Sequence, residues 1–120
     1  MSNASVTIGA GNVTIKLLNG EVYEEVTLRP TLKACRALSQ QSGGIMSAVQ
    51  AVGRFDFEVI TAAVALGLDA RTPDETNRIA ERVFATGLAD LIEPVIRFLT
   101  IVANGGRPVN AGGSGEPDPR

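Results

Sequence analysis

The sequence predicts an α+β fold, mostly α: an N-terminal β-hairpin packed on a bundle of four to five short helices. Three observations carry this. Apolar residues alternate with period two on either side of Asn19-Gly20, a hairpin-turn dipeptide. From Thr31 onward they recur instead at helical spacing, in segments punctuated by Gly or Pro. The chain has 120 residues, a length suited to one domain around one core.

The hairpin occupies about residues 12–29. Val13, Ile15 and Leu17 alternate with Thr14, Lys16 and Leu18, and Val22, Glu24, Val26 and Leu28 mark the return strand. A type I′ turn centred on Asn19-Gly20 places Leu18 opposite Glu21, hence Leu17 opposite Val22, Ile15 opposite Glu24 and Val13 opposite Val26. One face is then apolar, with Glu24 its odd member. Glu24 and Glu25 read as a charged edge that discourages strand addition rather than as a catalytic pair. Residues 1–11 are expected to be a flexible N-terminus or a short extra strand built on Val6-Thr7-Ile8.

Pro30 and Thr31 open the first helix, expected over 31–41, with Leu32, Cys35 and Leu38 on its apolar face. Cys35 there is a small hydrophobe, and being alone it can form no intrachain disulfide. Ser42-Gly43-Gly44 ends that helix and lacks the spacing of a phosphate-binding loop. Ile45, Met46, Val49 and Val52 form a second helix over 45–52, stopped near Gly53. The third, over 57–66, has Asp56 as N-cap, Phe55 and Ile60 as a hydrophobic staple, and Gly67-Leu68 as a Schellman stop. Its run from Val59 to Leu68 carries no charge, so it belongs at the centre of the domain.

Thr72-Pro73-Asp74-Glu75 is the sharpest local signal. Thr72 caps, Pro73 takes the first helical position and Glu75 completes a capping box. The helix over 73–86 turns Thr76, Ile79, Ala80, Val83 and Phe84 inward and pairs Asp74 with Arg78 outside. Gly87 separates it from the helix over 88–104, with which it should form an α-hairpin. In that last helix Leu88, Leu91, Ile92, Val95, Ile96, Leu99 and Val102 share one face. Phe98 lies at the edge of the apolar arc and Ile101 falls among the polar residues. So wide an arc is either engulfed by the domain or covered by a partner. Asp90 and Glu93 have capping-box spacing, which places Pro94 in the first turn. Asp90, Glu93 and Arg97 interrupt the run, which excludes a membrane span. The globular domain thus covers 12–106, and the Gly- and Pro-rich segment 107–120 is expected to be a disordered tail.

Composition narrows the function. The chain has no His, so the commonest general base and metal ligand are missing, and no nucleophile–base pair stands out. Its net charge of −2 offers no basic field for nucleic acid. No signal sequence is evident, and a cytoplasmic location is expected. The residues therefore point to a non-enzymatic protein without cofactor or metal, acting through its surfaces.

The order of elements resembles the small tail proteins of gene transfer agents and long-tailed phages, described both as tail assembly chaperones and as tail tube proteins. The likeness rests on Thr27-Leu28-Arg29-Pro30-Thr31, the helix closing at Ser42-Gly43-Gly44, the run from Phe57 to Leu68, the junction Thr86-Gly87-Leu88 and the terminal apolar helix. It spans about residues 12–106. The resemblance implies a tail assembly chaperone in the bacterial host cytoplasm. Such a chaperone binds the tape measure protein, a long helical chain, through apolar helix surfaces and keeps it soluble during tail assembly. Phe98, Ile101 and Val102 are the first candidate surface; Ile45, Met46 and Val49 are the second. Tail tube subunits and a second copy of the chain are further partners the resemblance implies. The alternative is a structural tail subunit, tube or minor, retained in the virion tail. A single hairpin weighs against that alternative, because tube proteins contribute long strands to a continuous sheet.

Overall fold

A computed structural model describes residues 11–41 and 43–107; the expectations for the segment before Gly11 and for the tail beyond Arg107 lie outside them. Strands β1 (Val13–Asn19) and β2 (Val22–Leu28) form an antiparallel hairpin. Five helices follow: α1 (Leu32–Gln41), α2 (Ile45–Gly53), α3 (Phe57–Gly67), α4 (Pro73–Thr86) and α5 (Leu88–Ala103). The result is the mostly helical α+β globule expected. α3 and α5 form its centre: each touches every other helix, and they reach the hairpin at β2 and β1 respectively. α5 packs most extensively on α2, and α4 on α3 and β1, so the expected α4–α5 hairpin is the smaller contact. Phe98, Leu17, Leu28, Leu38, Ile60, Leu91 and Leu99 are the largest fully buried side chains.

The hairpin register departs from expectation by two residues. Val13 pairs with Leu28, Ile15 with Val26, Lys16 with Glu25, Leu17 with Glu24 and Asn19 with Val22. The turn is therefore Gly20-Glu21. Gly20 has φ 69° and Glu21 is not left-handed, the φ signs of a type II′ turn, which needs glycine only at its first central position. A slip of two leaves each side chain on its original face. It exchanges Val22, now exposed, for the fully buried Leu28, and sets Lys16 opposite Glu25 and Thr14 opposite Thr27. Larger apolar burial and complementary cross-strand pairs both favour this register. Glu24, at the rim of the inner face, reaches Arg82 of α4 at 2.6 Å.

Three helices end in the same way, and two of the ends differ from expectation. After α2 the amide of Phe55 donates to Val52 and that of Asp56 to Ala51. After α3 Asp69 donates to Leu66 and Ala70 to Ala65. After α5 Gly105 donates to Val102 and Gly106 to Ile101. Each is a Schellman motif whose left-handed residue is Phe55, Asp69 or Gly105, not Gly53 or Gly67. Gly67 has a different task. A Cβ there would stand 2.8 Å from Leu28 Cβ, so glycine is what lets α3 lie against β2. The Arg29 amide donates to the Gly67 carbonyl at 2.9 Å across that contact.

Asp56 and Thr72 cap their helices as expected, whereas Thr31, expected as a helical residue, instead caps α1, which begins at Leu32 and leaves Pro30 outside. Thr31 Oγ1 accepts from the Ala34 amide, Asp56 Oδ1 from Glu58 and Val59, and Thr72 Oγ1 from Glu75. Glu75 reaches past the cap residue to the Arg71 amide, and Asp74 and Arg78 do not pair. α5 begins at Leu88 on Gly87 without a side-chain cap, so Pro94 stands in the helix interior. Glu93 pairs with Arg97 one turn on instead of closing a capping box. Phe55 is exposed while Ile60 is fully buried, so the expected staple is not what holds the start of α3. Leu32 and Phe84, expected on inner faces, are also exposed; Ala34, Leu38, Ile79 and Val83 fill those faces.

Candidate functional site

The six side chains expected to form a partner surface separate into two groups. Phe98, Ile101 and Val102 are core residues, buried with Leu91, Val95 and Leu99 along α5. Phe98 is enclosed because the surrounding helices cover more of the cylinder than the seven-residue face alone. Ile101, on the polar side of the helical wheel, is covered locally. The turn after α5 folds back so that Gly106 donates to the Ile101 carbonyl, and Gly11 lies against the Ile101 side chain. These three residues offer no free surface.

The other group lies on α2. Ala48, Ala51 and Val52 are buried, Ile45 and Val49 are half-buried against the core, and Met46 is 68% exposed. Helical geometry puts Ile45 and Val49 one turn apart on the same side, with Met46 about 100° round toward solvent. Met46 thus stands beside a partly covered apolar ledge. Leu32 at the start of α1, Phe55 between α2 and α3, and Phe84 on α4 are also exposed; Phe84 is the most exposed, at 78%. Phe55 combines exposure with φ 65°, a conformation that costs a bulky L-residue on the order of 1–3 kcal/mol.

Two open clefts flank the hairpin. One, beside β1, is bounded by Ile15, Tyr23, Thr86, Pro94 and Arg97, and the Leu18 amide donates to Thr86 Oγ1 at its edge. The other, beside the end of β2, is larger at about 820 Å³. Leu66 and Leu68 contribute apolar surface to it, and three cations converge on it from separate segments: Arg29 just after β2, Lys33 in the first turn of α1 and Arg71 in the connection between α3 and α4. Asp69 is its one carboxylate, accepting from Lys33 Nζ at 3.0 Å and from Arg71 at 2.9 Å. The hydrogen bond from Lys33, then that from Arg71, lowers the Asp69 pKa below its ordinary 3.8.

Among the described residues, no group of three or more His, Cys, Asp or Glu side chains is placed to hold a metal ion. No described helix is long and apolar enough to cross a membrane. No family model, characterised protein or solved structure matches the chain. The cationic cleft escapes sequence reading because Arg29, Lys33 and Arg71 belong to no common helix face or motif. Only the docking of α3 on β2 through Gly67 brings them together.

Proposed function

We propose that the protein is a non-enzymatic tail assembly chaperone that binds the tape measure protein through an apolar helix surface. The resemblance in element order supplies the partner class. The observation that carries the reading is Met46, exposed beside half-buried Ile45 and Val49 on a helix whose other side closes the core. An unbranched thioether beside a shallow apolar ledge suits the apolar stripe of an incoming helix and adapts to varied side chains. Phe98, Ile101 and Val102 leave this proposal, because exposing them to a partner would open the core.

The test is co-expression with a long helical tape measure protein, followed by size-exclusion chromatography with light scattering. The reading expects the long chain to be soluble only with this protein, the two to co-elute, and Met46→Asp to abolish co-elution while the thermal transition stays unchanged. If the long chain is indifferent and this protein alone assembles into rings or tubes, or is found in intact particles, the structural-subunit reading replaces it.

A further inference from the structure

The outer edge of β2 and the cleft beside it have a chemistry that the apolar ledge on α2 does not use. In a two-residue hairpin the pair next to the turn, Asn19 and Val22, exchanges backbone hydrogen bonds. Alternation then turns the backbone groups of Tyr23, Glu25 and Thr27 away from β1. Two hydrogen bonds agree with this parity: the Leu18 amide faces outward to Thr86, and the Arg29 amide faces outward to Gly67. No described residue takes the outward N–H and C=O groups of Glu25 or Thr27. They form a short open strand edge, closed at one end by the Gly67 carbonyl.

That edge runs into the cleft holding Arg29, Lys33 and Arg71. The cleft carries three cations against one carboxylate, in a chain whose net charge is −2. Asp69 is held there in a left-handed conformation, φ 60°, which places its carboxylate between Lys33 and Arg71, and Arg29 has no ion-pair partner among the described residues. Both pairs are exposed, so a competing carboxylate can displace them at little cost. Toward the turn the cationic excess ends: Glu24 and Glu25 lie in the middle of β2, Glu24 held by Arg82 and Glu25 opposite Lys16.

We propose that β2 and this cleft bind an extended acidic peptide segment of a partner protein, which adds as a third strand beside Thr27 and lodges its carboxylates among Arg29, Lys33 and Arg71. Backbone pairing to the open edge gives the segment its extended form. Charge sets its polarity, with acidic residues at the Arg29 end and neutral ones beside Glu25. Leu66 and Leu68 receive an apolar side chain pointing toward α3. The site stands apart from Met46, so its failure would leave the helix-face reading untouched.

The experiment uses the full chain and short fluorescein-labelled peptides with a Glu/Asp block at one end and Val/Thr at the other, read by fluorescence anisotropy. Controls carry a Lys block, or N-methyl groups on alternate backbone amides of the acidic peptide. Saturable binding of the acidic peptide is expected, weakening with salt, at least about tenfold weaker for the N-methylated form, and absent for the Lys form. K33E combined with R71E should weaken it at least about tenfold. D69N should tighten it severalfold, because it frees both cations while Asn still tolerates the left-handed conformation. Met46→Asp should leave it unchanged. Lack of saturable binding, or indifference to the cleft variants, overturns the proposal. So does full binding by the N-methylated peptide, or equal competition by a single-stranded oligonucleotide, since either would reduce the site to a cationic patch without strand recognition.

Discussion

Replacing Gly67 with Ala isolates the contact that joins the hairpin to the helices. In an exposed helix this change stabilises by about 1 kcal/mol. Here the new Cβ would lie 2.8 Å from Leu28 Cβ, 2.9 Å from its Cδ2 and 3.2 Å from its Cα. Relaxed carbon–carbon contacts stand at about 3.5–4.0 Å. A rotamer change relieves the Cδ2 overlap but not the other two, so α3 or β2 must move by several tenths of an ångström. Overpacking of this kind costs about 1–3 kcal/mol. The movement also strains the hydrogen bond from the Arg29 amide to the Gly67 carbonyl, now 2.9 Å. Set against the propensity gain, a net loss of about 1–2 kcal/mol is expected. That corresponds to a fall in melting temperature of roughly 4 °C per kcal/mol. Gly53→Ala is the internal control: Gly53 ends α2, its φ is not positive, and nothing lies within 4 Å of its Cβ position. It should stabilise by about 0.5–1 kcal/mol. Urea unfolding followed by circular dichroism measures both. A Gly67→Ala protein as stable as the parent, or two variants shifting in the same direction, would refute the close-approach argument.

Other substitutions probe the core and the cleft. Phe98→Ala should cost about 3–5 kcal/mol and remove most of the cooperative thermal transition, whereas Phe84→Ser should stay within about 0.5 kcal/mol of the parent; calorimetry on the pair separates core from surface. Thr61 is buried in α3 and its hydroxyl has no hydrogen-bond partner among the described residues, so Thr61→Val should stabilise by about 1 kcal/mol in the same urea assay. Asp69 should titrate below 3.8 by NMR, and Lys33→Met should raise its midpoint toward that value. Because its folded pKa is depressed, its contribution to stability is present above the unfolded pKa and is lost as pH falls through the folded one. A Lys33→Met midpoint unchanged from the parent would show that Lys33 does not hold the carboxylate.

Much of the fold was legible because its signals are local. Asp56 and Thr72 cap the helices that follow them whatever surrounds them, since an N-cap needs only a side-chain oxygen and the amides two or three residues on. The uncharged run from Val59 to Leu68 leaves α3 no face for solvent, so it must be central. The hairpin was legible as a hairpin, but its register was not: Asn19-Gly20 is a good type I′ pair, and the burial of Leu28 against α3, together with the cross-strand pairs that come with it, selects Gly20-Glu21 instead. The helix ends misled for a related reason. Gly67 looks like a stop signal in sequence, yet in space it admits Leu28, while the left-handed position falls to Asp69.

The candidate site divides along the same line. Hydrophobic periodicity gave α5 a wide apolar arc, and that width left two outcomes open. Five surrounding elements closed that choice by burying Phe98, Ile101 and Val102. Met46 remained outside because Ala48, Ala51 and Val52 form the inner face of α2. Sequence by itself determined the element order, the caps at Asp56 and Thr72, the central position of α3 and the lack of histidine chemistry, since each depends on residue identity or on neighbours within a few positions. Tertiary structure alone decided the strand register, which apolar side chains face solvent, and the gathering of Arg29, Lys33 and Arg71 around Asp69. Those features depend on which surfaces meet when separate elements pack, and no spacing along the chain encodes them.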